Sequence, residues 1–340
     1  MINKSRLNAT VLGVCACAVA LAVSSLSVVH AQITPTAEKL PSMASGAPQL
    51  PPMHPEQVSK SAWYVQGLSE LGTPTNQNFI SNAGFVITAT GVVVIDALGS
   101  PALAIRLMDE IRKLTAKPVT HVIVTHYHAD HIYGLQAFQK EGAKIIAHTA
   151  GREYLTSQTA ALRLEVSRTD LAPWIDQSTQ ILPADEWISE PSERTIGGVR
   201  FVLLPVGPAH TAEDMALYMP DEKVLFVGDL VFRNRIPFVG EANSGHWIQS
   251  LDELLRLDAS VVVPGHGPVS QEPKADMELT RNYLTFLRKH MGKAARDMTP
   301  FDEAYLSTDW SAYENLPLFG PANRMNAYNT YLLMEREAMP

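Results

Sequence analysis

Cysteine is nearly missing from this chain. Of 340 residues only Cys15 and Cys17 carry a thiol, and both lie in one N-terminal apolar segment. If that segment is removed as a secretory signal, the mature chain has no thiol. A structural disulfide, a cysteine nucleophile and a thiolate metal ligand are then excluded together. Runs of Lys and Arg, and basic residues interleaved with aromatics, are also missing. With a formal net charge of −8, this argues against a nucleic-acid partner. What remains is an ordinary globular composition, 46% hydrophobic and 18% charged, long enough for one large domain or two small ones.

The N-terminus has the three parts of a signal peptide. Lys4 and Arg6 form a basic start, residues 11–29 are apolar, and Val29-His30-Ala31 offers a small-residue cleavage site. Residues 1–31 are therefore expected to be a signal and the mature chain to be exported, periplasmic or secreted, without stable membrane insertion. An uncleaved anchor is the alternative. Residues 32–60, with Pro35, Pro41, Pro48, Pro51, Pro52 and Pro55, read as an extended linker.

From residue 62 strand and helix patterns alternate. Strands are expected at 63–66, 78–88, 92–96, 119–124, 144–147, 199–205, 215–219, 223–227 and 261–263. Helices are expected at 101–114, 135–140, 152–165 and 246–257, with two more appended at 274–289 and 325–337. Strand runs in both halves, each followed by helices, imply two sheets packed face to face with helices outside.

The most informative stretch is Thr125-His126-Tyr127-His128-Ala129-Asp130-His131, three imidazoles and a carboxylate in six residues. Neutral imidazole and carboxylate are donors suited to zinc and similar divalent ions. His126 and His128, two apart at a strand's end, project to one side, whereas Asp130 and His131 follow as a helix begins. Ligands offered in two directions imply two metals. Three further strand ends supply the same residue types: His210 in Gly207-Pro208-Ala209-His210-Thr211, Asp229 in Val227-Gly228-Asp229, and His266 in Pro264-Gly265-His266-Gly267. Strand ends marked by Gly or Pro are where such folds place functional groups.

On these motifs residues 63–270 resemble the metallo-β-lactamase superfamily, the fold shared by glyoxalase II, lactonases and class B β-lactamases. The resemblance implies a four-layer αββα sandwich over residues 61–270, with residues 271–340 a C-terminal helical extension. It implies that His126, His128 and His210 bind one metal, that Asp130, His131 and His266 bind the second, and that Asp229 bridges them. Asp96 matches an early aspartate that supports the ligand loop. Two Zn2+ are expected, with iron the alternative. Such ions lower the pKa of bound water to about 7, so the expected reaction uses hydroxide on a small-molecule ester, thioester or lactone, with Asp130 as proton acceptor. Class B β-lactamases typically carry cysteine or serine at the bridging position, so lactam hydrolysis is the alternative. The stretches His210-Thr211-Ala212-Glu213-Asp214, Gly228-Asp229-Leu230-Val231-Phe232 and residues 323–335 further resemble SoxH-type and quinoprotein-associated exported hydrolases. That likeness implies an accessory role beside a redox-system partner as another alternative.

Tyr127, Tyr133, Phe232 and Phe238 are candidates to line a substrate pocket, and Arg233, Asn234 and Arg235 to bind a substrate carboxylate or oxyanion. His121, His148 and His246 read as structural. His30, His54 and His290 carry no functional argument.

Overall fold

The computed structural model describes residues 52–338; the expected signal and residues 32–51 of the linker lie outside the described residues. The first half runs β1 (Glu56–Gln57), β2 (Ala62–Val65), β3 (Ala83–Ile87), β4 (Val92–Ile95), α1 (Pro101–Leu114), β5 (Val119–Ile123), α2 (Ala129–Ile132), α3 (Leu135–Lys140), β6 (Lys144–His148), α4 (Gly151–Leu155), α5 (Gln158–Asp170) and β7 (Glu186–Ile188). The second half runs β8 (Ser192–Ile196), β9 (Val199–Pro205), β10 (Met215–Met219), β11 (Val224–Phe232), α6 (Ser244–Leu254), β12 (Val261–His266), α7 (Pro273–Arg296), α8 (Phe301–Ser307) and α9 (Phe319–Ala338).

Strands β1 to β7 form one sheet in sequence order, and the other has the order β12-β11-β10-β9-β8. In the first, β4, β5, β6 and β7 are parallel, which requires crossovers such as α1. In the second only β11 and β12 are parallel, joined through α6. Side-chain alternation distributes each strand between two cores. Val92 and Val94 of β4 face a core shared with Leu103, Leu107 and Ile111 of α1. Val93 and Ile95 face the other way, packing with Ile123 and Ile146 against Phe201, Leu203, Leu217 and Phe226 of the second sheet. A third core lies between the second sheet and the helices that follow it. The order is helix, sheet, sheet, helix, the expected αββα sandwich.

Local chemistry sets the helix ends. Ser100 caps α1, its hydroxyl accepting from Leu103 N at 3.3 Å, and Pro101 follows in the first turn. The single helix expected over 152–165 is two. Ser157 ends the first by donating to Tyr154 O at 2.7 Å, and starts α5 by accepting from Ala160 N at 3.0 Å. The expected strand 78–88 begins only at Ala83: Asn78 takes positive φ, and the Ile80 carbonyl, Ser81 and Asn82 are engaged with the loops that carry Asp130 and His266. Among the described residues no helix is long and apolar enough to cross a membrane.

The C-terminal helices form the fourth layer. Met277, Tyr283, Leu284, Leu287 and Met291 of α7 are buried with Trp247, Leu251 and Leu254 of α6 and with Leu230 and Phe232 of β11. Leu287→Ala should therefore cost about 2–5 kcal/mol in urea unfolding, the range for a fully buried leucine. A loss well under 1 kcal/mol would show that α7 is an appendage and not part of the core.

Candidate metal centre

The loop after β5 is held by Asp96 at the end of β4. Asp96 Oδ1 accepts from Thr125 N at 2.8 Å, and Oδ2 accepts from Thr125 Oγ1 at 2.8 Å. The same Oδ2 lies 2.8 Å from His131 Nδ1. With its hydroxyl proton given to Asp96, Thr125 Oγ1 can accept from His126 Nδ1, 3.0 Å away. Ile80 O lies 2.7 Å from His266 Nδ1. Each of these three rings thus has its proton placed on Nδ1, leaving the Nε2 lone pair free to act as a donor.

Those lone pairs converge. His126, His128, His210 and Asp229 form one group of donor atoms and Asp130, His131 and His266 a second, each within 4.8 Å. Asp229 faces both. Its Oδ2 lies 3.8 Å from His126 Nε2, 3.4 Å from His210 Nε2 and 3.3 Å from His266 Nε2, and its Oδ1 lies 3.2 Å from His131 Nε2. Asp130 Oδ2 is 3.6 Å from His131 Nε2 and 3.3 Å from His266 Nε2. All seven residues singled out in the sequence meet here.

The second sheet delivers Asp229 differently from the expectation. Asp229 lies not in a turn after residue 227 but inside β11, which continues to Phe232. The pairing of β11 with β12 shifts between Phe226 and Gly228 and again before Phe232, so Asp229 sits in an irregular stretch that turns its carboxylate inward. Gly228, at φ +51°, permits this. A side chain there would strain the backbone and place Cβ 2.5 Å from Thr125 Oγ1.

Charge divides the site. Burial first, then the neighbouring imidazoles, holds His126 and His128 well below the usual imidazole range, and burial lowers His210 to about 4. These are neutral donors at neutral pH. Burial also opposes charge on His131, but the carboxylates of Asp229, Asp130 and Asp96 outweigh it and raise its pKa well above the usual value. Burial would raise Asp229 and Asp130, yet His266 and His131 hold both carboxyls low. A cation entering this half takes over the compensation that protons provide, and releases them. The donor set fits divalent metal on a further ground. His126 Nε2, His131 Nε2 and Asp229 Oδ1 are buried and make no hydrogen bond, and such groups normally have partners.

Several supporting residues gave no clear signal in the sequence. Asn82 donates to Pro264 O and Gly267 O, both at 2.8 Å, fixing the turn that carries His266. Ser81 Oγ donates to Asp130 O at 2.5 Å. Glu213 accepts from Tyr127 N at 3.1 Å, steadying the backbone between two ligands. Glu213 stands in a stretch noted only for its resemblance, and its contact partner is 86 residues away. Of the candidate pocket residues, Tyr127, Tyr133 and Phe232 are fully buried and pack the core. Arg233 pairs with Asp276 at 3.0 Å, Asn234 takes φ +56° in an exposed turn, and Arg235 is buried beside His266 Nδ1 at 3.2 Å. Phe238 alone of the four aromatics is half-buried.

The two carboxylates Asp229 and Asp96 differ in what they touch, so their amides should differ in effect. Asp229→Asn removes the negative charge that faces both donor groups, and metal content as well as turnover should fall. Asp96→Asn keeps the donors and disturbs only their orientation, which typically costs about 10–100-fold in affinity or activity. Metal stoichiometry of the two purified variants compares them; full metal content and near-wild-type turnover in Asp229→Asn would refute the bridging assignment.

The profile of the metallo-beta-lactamase superfamily matches residues 77–266. The alpha subunit of 2,4-dinitroanisole O-demethylase from Nocardioides sp. (strain JS1661) is 30% identical over 194 residues, 56% of this chain and 54% of that protein. A linear primary-alkylsulfatase from Pseudomonas sp. (strain ATCC 19151) is 27% identical over 233 residues, 58% of this chain and 44% of that one. The chain thus matches about half the length of these two relatives. Metallo-beta-lactamase IND-1 from Chryseobacterium indologenes is 28% identical over 58% of this chain and 75% of its own length. Among solved structures, metallo-beta-lactamase IND-7 shares the fold with a TM-score of 0.56 at 24% identity, covering 70% of this chain and 100% of that one. The sec-alkylsulfatase Pisa1 from Pseudomonas sp. does so with a TM-score of 0.64 at 16% identity, covering 83% and 50%. The chain belongs to the metallo-beta-lactamase superfamily.

Proposed function

We propose that the chain is an exported binuclear zinc hydrolase that cleaves an ester, thioester or lactone. The observation that carries this reading is Asp229, whose carboxylate lies 3.2–3.8 Å from imidazole nitrogens of both donor groups. His126, His128 and His210 would hold one ion and Asp130, His131 and His266 the other, with Asp229 between. When bound, two divalent ions supply Lewis acidity toward a carbonyl oxygen and a hydroxide nucleophile at neutral pH.

The chain's own residues do the rest. Asp96, Thr125 and the Ile80 carbonyl orient the rings. Asp130 is the more open carboxylate, its side chain 15% exposed against 4% for Asp229. In this reading its carboxylate would take up the proton of the hydroxyl group after attack and return it toward the leaving group. Burial of the surrounding donors excludes bulk water from the other side. No serine or cysteine nucleophile is required.

Asp229 at the bridging position favours ester-type bonds over lactams. The match across 75% of IND-1 supports β-lactam hydrolysis as a second reading. The alkylsulfatase relative, by its name, acts on alkyl sulfates, which are also esters. An accessory role beside a sulfur-oxidation or quinoprotein redox system rests on the SoxH-type likeness of residues 210–214, 228–232 and 323–335 and on the C-terminal extension.

Purified protein should carry close to two zinc equivalents, lose hydrolysis on chelation and regain it with zinc. A panel of carboxylic esters, thioesters, lactones, alkyl sulfates and β-lactams identifies the bond. Turnover that survives chelation, a single tightly held iron, or a clear preference for β-lactams would each contradict the reading.

A further inference from the structure

One place where the C-terminal part of the chain approaches the metal centre is a short segment, residues 236–240 between β11 and α6. Ile236 N donates to Pro317 O at 3.0 Å. Asn326 Nδ2 of α9 donates to Pro237 O at 2.7 Å, and Asn326 Oδ1 accepts from Val239 N at 3.0 Å. Asn329 Nδ2, one turn further along α9, donates to Gly240 O at 2.8 Å. Every residue of the segment except Phe238 is thus tied by its backbone to residues 317–329. Asn326 is fully buried and is itself fixed, its Nδ2 also donating to Tyr283 Oη at 3.0 Å, while that hydroxyl donates to Asn323 Oδ1 at 2.9 Å.

Phe238 is what this clamp aims. Its ring stands edge-on to His128 at 6.3 Å and to His210 at 6.4 Å, both in the first donor group. Its backbone neighbours Pro237 and Val239 are buried, whereas Phe238 stays half-buried. Packing alone needs no paired amide. An Asn that binds a carbonyl on one side of a residue and an N–H on the other fixes the segment's rotation, and so the direction of the side chain between them. Such buried bonds are costly to leave unmade, which keeps the direction constant.

We propose that Phe238 seats an aromatic group of the substrate beside the bond that is cut, and that Asn326 is the positioning residue that aims it. The proposal rests on the hydrolase reading above and adds the chemical class of the group recognised. The fold thereby uses its fourth layer to set substrate choice, with α9 acting at the centre without contributing a donor to it.

The test compares zinc-loaded wild type with Phe238→Ala, Phe238→Leu and Asn326→Ala on benzyl acetate and ethyl acetate. It also measures calorimetric affinity for 4-phenyl-2-butanone, an unreactive analogue of benzyl acetate. Phe238→Ala should lower the preference for benzyl over ethyl acetate about tenfold, the scale of losing one aromatic anchor, through KM and not kcat. Ketone affinity should fall by a similar factor. Phe238→Leu should recover part of both, and Asn326→Ala should move both in the same direction as Phe238→Ala with zinc content retained. Equal losses on the two esters, or ketone affinity that is undetectable in wild type or unchanged in Phe238→Ala, would overturn the proposal. If the loaded protein cleaves neither ester, the hydrolase reading is in trouble, and the ketone titration by itself decides the seat. Should Asn326→Ala fail to fold, the two Phe238 variants decide it.

Discussion

A carboxylate that is 3% exposed, with imidazoles on several sides, is the constraint from which the rest of this structure follows. Removing Asp229 from water carries a penalty of several kcal/mol unless positive charge is brought to it. The donors around it are arranged for that purpose. Three rings on one side are neutral, while on the other side His131 and His266 are pushed toward their charged forms by the carboxylates they face. A pair of divalent cations would satisfy the same demand, taking the place of the protons on His131 and His266.

Both sheets are needed to build that arrangement. The first supplies His126, His128, Asp130 and His131 from one loop after a parallel strand, braced by Asp96 from the neighbouring parallel strand. The second supplies His210 from the loop between β9 and β10, Asp229 from the irregular stretch of β11 and His266 from the end of β12, its parallel neighbour. Asn82 joins the halves, since its amide, from the loop before β3, holds the turn around His266. The donors therefore move with the inter-sheet packing of Ile95, Ile123, Phe226 and Val263. A change deep between the sheets can thus disturb the centre without touching a ligand.

Much of this was legible from local pattern. Periodicity located α1, β9 and β10 to the residue, and residue type singled out the seven side chains that the structure brings together, although Asp229 lies inside a strand and not at its end. Elements with weak periodicity were not legible: β7 is three residues, and β8, Ser-Glu-Arg-Thr-Ile, is an edge strand with no apolar run. The expected strand over 78–88 failed for a long-range reason. Residues 78–82 are irregular because they brace the loops carrying Asp130 and His266, through Ser81, Asn82 and the Ile80 carbonyl. Likewise, the place of Asp229 inside β11 depends on Gly228 meeting Thr125 across the sheets, which no window of sequence contains. The role of α9 was hidden for the same reason, its asparagines meeting their partners 87 and 89 residues away.

Anomalous scattering from crystals of the zinc-loaded protein tests the central claim most directly. The expected result is two zinc peaks about 3.5–4 Å apart, one on each side of the Asp229 carboxylate, the first bounded by His126, His128 and His210 and the second by Asp130, His131 and His266. A single peak at full zinc saturation, or two peaks of which one lies beyond reach of Asp229, would contradict it.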